Sequence, residues 1–412
     1  MTLSRIGRVA MALLVSVAMG LGMTSCGGGT IGFMWVLGTQ YNQIGGFKID
    51  NYTGNLTGIP GSPFPSGGVN PVMLALKSGG RYLYVLNAGD SKTAGNFSLF
   101  SIGGDGTLSF QQSYSSQGTS PVYIQTDTTG SYLYILDQKS PNYGVTTNGV
   151  KDLNGSITVF SLDPNTGRPS LITNAQVKDA NGTQLTYFEV GQTPIQMRTT
   201  SSCIYTLDAG DQTIFPYTLG GSNGQLTQPT NSTIALNTAN ATSVNVASSY
   251  VYVTDAGSTL GGAGSILPYT ASASCALAPV TGNIVANLPT ASYPIQTISS
   301  SDGKRVYVLN HSTVDTNFQN SSISAFNITS GTGELVQVSD STGNPYSVGS
   351  GPVCMAFDPS NQYLYTSDQF SSTITGKRYG AQYGYLTNLS RGSSFPTVGN
   401  PTCLVVSGNT GY

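Results

Sequence analysis

Short apolar runs recur along the chain in a fixed order, with polar turns between them. Residues 352–368 read PVCMAFDPSNQYLYTSD, in which an alternating apolar strand, a polar hairpin and a second strand ending in a carboxylate follow one another. Equivalent copies open at Pro71, Pro121, Pro194, Ala241, Pro294, Pro352 and Pro401. The copy at Pro401 stops after its first strand, and residues 34–38 near the other end supply the second strand. Seven copies, one divided between the two ends, predict a ring of repeats.

The aromatic residues of the second strands support this alignment. Trp35 stands where the other copies have a tyrosine: Tyr84, Tyr134, Tyr205, Tyr252, Tyr307 and Tyr365. A third apolar run and a Gly-x-Leu turn to a fourth strand follow, and four short antiparallel strands in about 50 residues are typical of a propeller blade. We therefore predict an all-β fold, a seven-bladed β-propeller over residues 33–412, closed by pairing of residues 401–412 with residues 33–39. A β-solenoid is the competing repeat fold, but it would not divide one repeat between the ends.

Two long loops interrupt the third copy. Residues 139–154 lengthen the link between its second and third strands, and residues 174–193 lengthen the link to the next copy. In a propeller both kinds of link lie on one face, usually the binding face, so we expect a rim or a partial lid there. Neutral variation in loop length is the alternative.

The first residues resemble a bacterial export signal. Arg5 and Arg8 precede an apolar run over residues 9–23, which is short and interrupted by glycine for a transmembrane helix. The run ends in Met-Thr-Ser-Cys, which predicts a lipoprotein signal peptide over residues 1–26, lipidation of Cys26 and a Gly-rich tether over residues 27–32. An ordinary signal peptide with an incidental cysteine is the alternative. Gly27 after the cysteine favours an exported lipoprotein of the outer membrane, with the membrane as a partner through the lipid.

Composition narrows the partners further. Only 8% of the residues are charged, the net charge is −2 and there is no basic run. Nucleic-acid binding needs clustered Lys and Arg, so the sequence argues against it. We expect a monomer.

Besides Cys26 the chain has four cysteines, an even number that suits disulfides in an exported protein. Cys203 and Cys275 flank turns on the same face of neighbouring blades, and we predict that they pair. Cys354 and Cys403 hold equivalent positions in adjacent blades and can form a second bond if the inner strands approach to about 5.5 Å between Cα atoms.

The repeated phrases, together with DPSNQYLY in residues 358–365 and GSPF in residues 61–64, resemble those of the seven-bladed lactonase family. That family includes 6-phosphogluconolactonases and carboxymuconate-cyclising enzymes. The resemblance covers residues 33–412 and implies a site in the central funnel. In catalytic members a Pro-Arg-His phrase at blade openings puts a histidine two places after the proline, and further Arg and Glu residues complete the site.

This chain departs from that catalytic pattern. Alternation places the residues three after each opener between blades: Leu74, Ile124, Met197, Val244, Met355 and Leu404. The residues two after each opener should face the channel, and none is histidine: Met73, Tyr123, Gln196, Ser243, Gln296, Cys354 and Cys403. The single histidine, His311, follows a second strand. Four places after the openers the one charged residue is Arg198, with Gln125 and Asn245 in the neighbouring copies.

We therefore hypothesise a binding or scaffold protein without catalysis, and the catalytic residues are unknown. The predicted ligand site in the funnel comprises Tyr123, Gln125, Gln196, Arg198, Asn245 and Gln296, and the ligand would be sugar-like, a lactone or a peptide. Arg198 could bind an anion or plug the channel through strand-end carbonyls. The alternatives are a lactone hydrolase with a rearranged site that uses Arg198 and a funnel carboxylate, and a purely architectural protein.

No cofactor and no metal are expected. The second strands end in short polar residues near one face: Asn87, Asp137, Asp208, Asp255, Asn310 and Asp368. A shared calcium site is conceivable, since calcium takes six to eight oxygen ligands. One carboxylate per blade, without a calcium-binding loop, instead favours Asp and Asn side chains that bind backbone N–H groups of nearby turns.

Overall fold

Every regular element in the described part of the chain is a β-strand. The computed structural model describes residues 29–147, 149–230, 232–257, 263–280, 286–313, 317–339 and 343–408. The predicted signal peptide, Cys26 and the start of the tether lie outside these residues. None of the described segments forms a helix that is long and apolar enough to cross a lipid bilayer.

The first half of the chain provides blades one to three and opens blade four. Blade one uses β1 (Thr30–Gly38), β2 (Gln43–Asp50), β3 (Leu56–Gly58) and β4 (Phe64–Pro65). Blade two uses β5 (Pro71–Leu76), β6 (Tyr82–Asn87), β7 (Asn96–Ile102) and β8 (Leu108–Tyr114). Blade three uses β9 (Thr119–Thr126), β10 (Tyr132–Lys139), a small hairpin of β11 (Thr146–Thr147) and β12 (Val150–Lys151), then β13 (Asn154–Leu162), β14 (Pro169–Leu171) and β15 (Phe188–Gln192). Blade four opens with β16 (Pro194–Thr199) and β17 (Cys203–Asp208).

The second half of the chain completes blade four and provides blades five, six and seven and the last strand. Blade four continues with β18 (Thr213–Leu219), β19 (Leu226–Thr227) and β20 (Ile234–Ala235). Blade five uses β21 (Ala241–Ala247), β22 (Tyr250–Asp255), β23 (Ala263–Ala271), β24 (Leu277–Pro279) and β25 (Ala286–Thr290). Blade six uses β26 (Ser292–Ser299), β27 (Arg305–Ser312), β28 (Ser322–Ile328), β29 (Leu335–Gln337) and β30 (Tyr346–Ser347). Blade seven uses β31 (Pro352–Phe357), β32 (Tyr363–Asp368), β33 (Thr373–Tyr379), β34 (Leu386–Asn388) and β35 (Ser394–Pro396), and the chain ends with β36 (Pro401–Gly408).

Each blade is an antiparallel sheet in chain order, as the repeat predicts. In six blades the fourth strand is two short segments that both pair with the third strand, and only in blade two is it the single strand β8. In blades two to seven the first strand is the inner one, and in blade one the inner strand is β36. Each inner strand contacts the inner strand of the next blade around a common axis. The fold is therefore a seven-bladed propeller.

The predicted pairing of the two ends is present over residues 401–408, and residues 409–412 lie outside the described residues. β36 runs antiparallel to β1, from Gly32 opposite Gly408 to Gly38 opposite Pro401, and so becomes the inner strand of blade one. β1 begins at Thr30, earlier than the predicted start at residue 33, because residues 30–32 extend its pairing with the end of β2.

The predicted packing positions are buried between blades. The six apolar residues three after the openers are all at most 5% exposed. The aromatic residues of the second strands are equally buried, and most of them reach the next blade. Trp35 Nε1 donates to Gly106 O at 3.1 Å, Tyr84 Oη to Gly167 O at 2.6 Å and Tyr307 Oη to Gly384 O at 2.8 Å. The aromatic alignment read from the sequence therefore marks a bond between consecutive blades.

The turn between the third and fourth strands explains the glycine of Gly-x-Leu. Gly54 has φ +71°, a conformation that L side chains avoid, and a Cβ there would lie 2.5 Å from the ring of Tyr363 in the preceding blade. In blade five this glycine is replaced by Cys275 (φ +67°), and the ring position in blade four is Cys203. The two cysteines form the predicted disulfide, with Cα atoms 5.7 Å apart. A covalent bond thus replaces a ring–glycine contact.

The second candidate pair is bonded as well. Cys354 of β31 and Cys403 of β36 have Cα atoms 5.0 Å apart. These are the inner strands of blades seven and one. The bond therefore ties the C-terminal strand to the preceding blade.

One loop prediction is wrong. Residues 188–192 form β15, the second half of the fourth strand of blade three, so the insertion lies within that strand and not in the link to blade four. The backbone at the start of this insertion hydrogen-bonds to blade four, near the turn between the third and fourth strands of that blade. Gln225 Oε1 accepts from Ala175 N at 2.8 Å, and Gln225 Nε2 donates to Thr173 O at 2.8 Å. The sequence could not show this because the strand interruption has no signal of its own.

Candidate ligand-binding site

Arg198 lies across the central channel. It belongs to β16 of blade four and is half-buried. Its Nη1 donates to the Tyr123 hydroxyl in blade three and to Met197 O at 3.3 Å, and its Nη2 donates to Thr297 O in blade six at 3.4 Å. The guanidinium carbon is also 5.5 Å from the centre of the Tyr123 ring, within the range of a cation–π contact. One side chain therefore connects blades that are not neighbours.

The charge of Arg198 has no acidic partner among the described residues. Among the described residues no carboxylate oxygen lies within 4.0 Å of its guanidinium, and the one ion pair found there joins Arg305 and Asp302. Burial in the channel lowers the pKa of Arg198 to about 10, because desolvation disfavours the charged form. The guanidinium still carries its proton at neutral pH. Its bonds in the described structure are all to neutral oxygens.

Three buried polar atoms on the inner strands of blades three, five and six lack a partner among the described residues. They are Gln125 Oε1, Asn245 Nδ2 and Thr297 Oγ1. Gln125 and Asn245 stand four after their openers in blades three and five, on either side of the blade that carries Arg198. Buried polar groups are normally hydrogen-bonded. An acceptor, a donor and a hydroxyl without a partner among the described residues therefore indicate a place where a polar molecule could bind.

Two predicted site residues, Gln196 and Gln296, hydrogen-bond to the backbone of the next blade. Gln196 Oε1 accepts from Val244 N at 2.6 Å, and Gln296 Oε1 accepts from Met355 N at 2.5 Å. Ser243 Oγ accepts from Thr297 N at 2.9 Å in the same way. Each bond joins the inner strand of one blade to that of the next. A role for Gln196 and Gln296 in ligand binding stays a prediction.

Thr297 was missed by sequence reasoning. It stands three after its opener, a position assigned to interblade packing, where six other blades carry an apolar residue. Its carbonyl binds Arg198 and its hydroxyl has no partner among the described residues. The signal in the sequence was that Thr297 carries a hydroxyl at a position where the six other copies have an apolar residue.

His311 binds the backbone of the inner strand of blade seven. It lies near the end of β27, its Nε2 is 2.7 Å from Pro352 O, and its ring stacks on Phe318 with centroids 4.5 Å apart. Because a carbonyl can only accept, Nε2 carries the proton of that bond. Burial lowers the pKa of His311, so the ring is neutral at neutral pH.

The acidic ends of the second strands bind backbone and hydroxyl groups, as expected. Asp137 accepts from Ser116 Oγ at 2.7 Å and from Gly118 N at 3.3 Å. Asp255 accepts from Ala239 N at 3.1 Å and from Asn240 N at 2.8 Å. These two carboxylates hold the links that lead into blades three and five.

The family described as Lactonase, 7-bladed beta-propeller, matches residues 34–242 and 286–406. The chain belongs to this family. The comparison with curated proteins gives no match.

Solved structures share the lactonase-family fold at low sequence identity. A Bacteroides fragilis protein described as a candidate 6-phosphogluconolactonase is 17% identical, with TM-score 0.65 over 92% of this chain and 98% of that one. The periplasmic gluconolactonase PpgL of Pseudomonas aeruginosa is 17% identical, with TM-score 0.60 over 91% and 99%. A Lactobacillus plantarum protein is 16% identical, with TM-score 0.67 over 92% and 100%. At this identity the likeness concerns the fold alone.

Proposed function

We propose that this lactonase-family propeller is an exported binding protein whose central channel takes a small, hydroxyl-rich anion such as a sugar acid. The proposal rests on Arg198, a half-buried cation without an acidic partner among the described residues, and on buried polar atoms of other inner strands that have no hydrogen bond among those residues. A charge removed from water is costly unless it is paired. A ligand carboxylate or phosphate would supply the missing charge, and the planar guanidinium fork suits both groups.

The neighbouring groups suit the rest of such a ligand. Asn245 Nδ2 is a donor, Gln125 Oε1 is an acceptor and the Thr297 hydroxyl can be either. Sugar hydroxyls can meet all three, because each hydroxyl both donates and accepts. The Tyr123 ring adds an apolar surface beside the charge.

The predicted channel positions carry no residue of the usual acid–base types, and this favours binding over hydrolysis. Of the fourteen residues two and four after the openers, none is histidine, aspartate or glutamate. A positioned general acid or base contributes about 10²–10⁴ in rate. His311 is held by Pro352, and the acidic strand ends bind their own blade links.

A lactone hydrolase with a rearranged site is the second candidate. Family membership and the lactonase names of two structural neighbours favour it. It would need Arg198 to polarise or hold the lactone and another group to activate water.

Binding tests the first candidate directly. With the purified protein, calorimetric titration with gluconate and 6-phosphogluconate should give saturable binding, and glucose should bind more weakly. Arg198→Gln should weaken anion binding by at least about 30-fold, since truncating one partner of a buried charge pair costs about 2–5 kcal/mol. The exposed Arg391→Gln is the matched control and should bind as the wild type does.

Unchanged anion affinity in Arg198→Gln would overturn the channel site. A parallel assay with gluconolactone separates the candidates. Turnover above the uncatalysed rate that is lost in Arg198→Gln would favour the hydrolase, and binding without turnover would favour the binding protein.

The location is part of the proposal. Two disulfides suit an oxidising compartment, and one structural neighbour is described as periplasmic. We place the protein at the outer membrane through a lipid on Cys26, as a monomer. Cys26→Ala should move the protein from the detergent phase to the aqueous phase in phase partitioning, whereas Ser25→Ala should not. Detergent partitioning that survives Cys26→Ala would contradict the anchor.

A further inference from the structure

One position of the third strand is aromatic in every blade but one. This residue pairs with the apolar residue that immediately precedes the aromatic residue of the second strand. In six blades it is one of the following: Phe47, Phe100, Phe160, Tyr217, Tyr269 and Phe326. In blade seven the residue opposite Leu364 is Lys377. The repeat therefore predicts a ring where this blade has an amine.

The amine lies beside a cavity. A space of about 330 Å³ between blades six and seven is lined by Lys377, Thr387 and Asn388 on one side and by Pro345, Tyr346 and Ser347 on the other. This volume falls in the range of small-molecule sites. In the six other blades an aromatic residue stands at the corresponding position, so this cavity lies beside the blade in which an amine replaces the ring.

The Lys377 side chain is almost entirely buried, and its ammonium group makes fewer hydrogen bonds to the described residues than it has donors. Lys377 is 5% exposed, and its Nζ donates to Asn388 Oδ1 at 2.7 Å. An ammonium has three donors, and this is its one hydrogen bond to the described residues. Nor does any described carboxylate oxygen lie within 4.0 Å of Nζ. Burial lowers the pKa of Lys377, and the more distant charge of Asp368 opposes that effect.

We propose that this cavity is a second binding site, in which Lys377 binds a small oxyanion, a carboxylate or a phosphate group. Taking an unpaired ammonium out of water is unfavourable, and an anion in the adjacent space would offset that cost. The hydroxyls of Ser347 and Thr387 line the same space and can donate to an oxyanion. The site lies on the third and fourth strands of blade seven, away from the inner strand that carries Arg198.

The test uses an Arg198→Gln background, so that the channel cannot contribute to the signal. Inorganic phosphate and acetate are titrated at constant ionic strength, with chloride as the reference salt, and melting temperature and calorimetric binding are recorded. Phosphate or acetate should raise the melting temperature in a saturable way, and the stronger of the two identifies the preferred group. Lys377→Met should lose this shift and weaken binding by at least tenfold.

Two further variants make the result specific. Lys377→Phe restores the residue type of the other blades and should also lose the oxyanion response, with a higher melting temperature in chloride because the ring fills the cavity. The exposed Lys92→Met should respond as its parent does. An equal oxyanion shift in Lys377→Met and its parent, or no saturable response to either anion in the parent, would overturn the proposal.

Discussion

Replacing Cys203 and Cys275 by serine is expected to lower the free energy of unfolding by about 4 kcal/mol, on the chain-entropy account of a disulfide. The bond joins blades four and five across 72 residues of sequence, so its loss frees a long loop in the unfolded chain. Denaturant unfolding can be followed by the fluorescence of Trp35, the single tryptophan, which is fully buried in β1. The midpoint should fall markedly.

The propeller offers its own control for this experiment. Where other blades have a ring and a glycine, as in Tyr363 and Gly54, the chain needs no covalent bond. Cys203→Tyr with Cys275→Gly should therefore recover part of the lost stability, and the glycine also suits the positive φ at that position. Equal stability of the serine variant and the wild type would contradict the bond's role. A tyrosine–glycine variant no more stable than the serine variant would contradict the equivalence.

Raising the pH from about 5 to about 8 is expected to lower the melting temperature, because buried carboxyl groups hold their protons in the folded state. Burial raises the pKa of Asp137 to about 7 and that of Asp368 to about 6, and it raises the pKa of Asp208 well above its usual value. Between the unfolded and folded pKa values the unfolded chain is ionised while the folded chain stays protonated. The stabilisation is full below the unfolded pKa and is lost as the pH rises through the folded pKa. Thermal unfolding across this range measures it.

Asp137→Asn isolates one of these groups. The equivalent residue is already an asparagine in blades two and six, and Asn87 Nδ2 lies 3.4 Å from Ser98 Oγ, in the place of the Asp137–Thr158 bond. The amide should fit, remain neutral at all pH values and give a smaller fall in melting temperature toward high pH. A pH profile parallel to that of the wild type would show that Asp137 does not titrate in this range.

In this lactonase-family chain, several residues two after the opener bind the neighbouring inner strand. Glutamine or serine at the position two after the opener in blades four, five and six binds the backbone of the next inner strand. In blade seven the same position holds Cys354, bonded to Cys403 of β36. The position thus serves to hold inner strands together.

The sequence alone determined the repeat and its closure. Strand alternation and positive-φ turns are local properties, so seven copies of one pattern were enough to predict the blades, their strand order and the pairing of β36 with β1. It also predicted the Cys203–Cys275 disulfide, because the alignment of copies places each cysteine at a known point of a blade, and it left open whether Cys354 and Cys403 pair.

Only the tertiary structure decided how the side chains of different blades meet. The reach of Arg198 to Thr297, 99 residues along the chain, depends on the width of the channel and on the twist of the blades. The insertion within the fourth strand of blade three and the cavity beside Lys377 likewise depend on contacts between blades. Such contacts join residues with no sequence relation to one another. A repeat therefore determines the shape of each blade, while the space left between two blades is known only once both are in place.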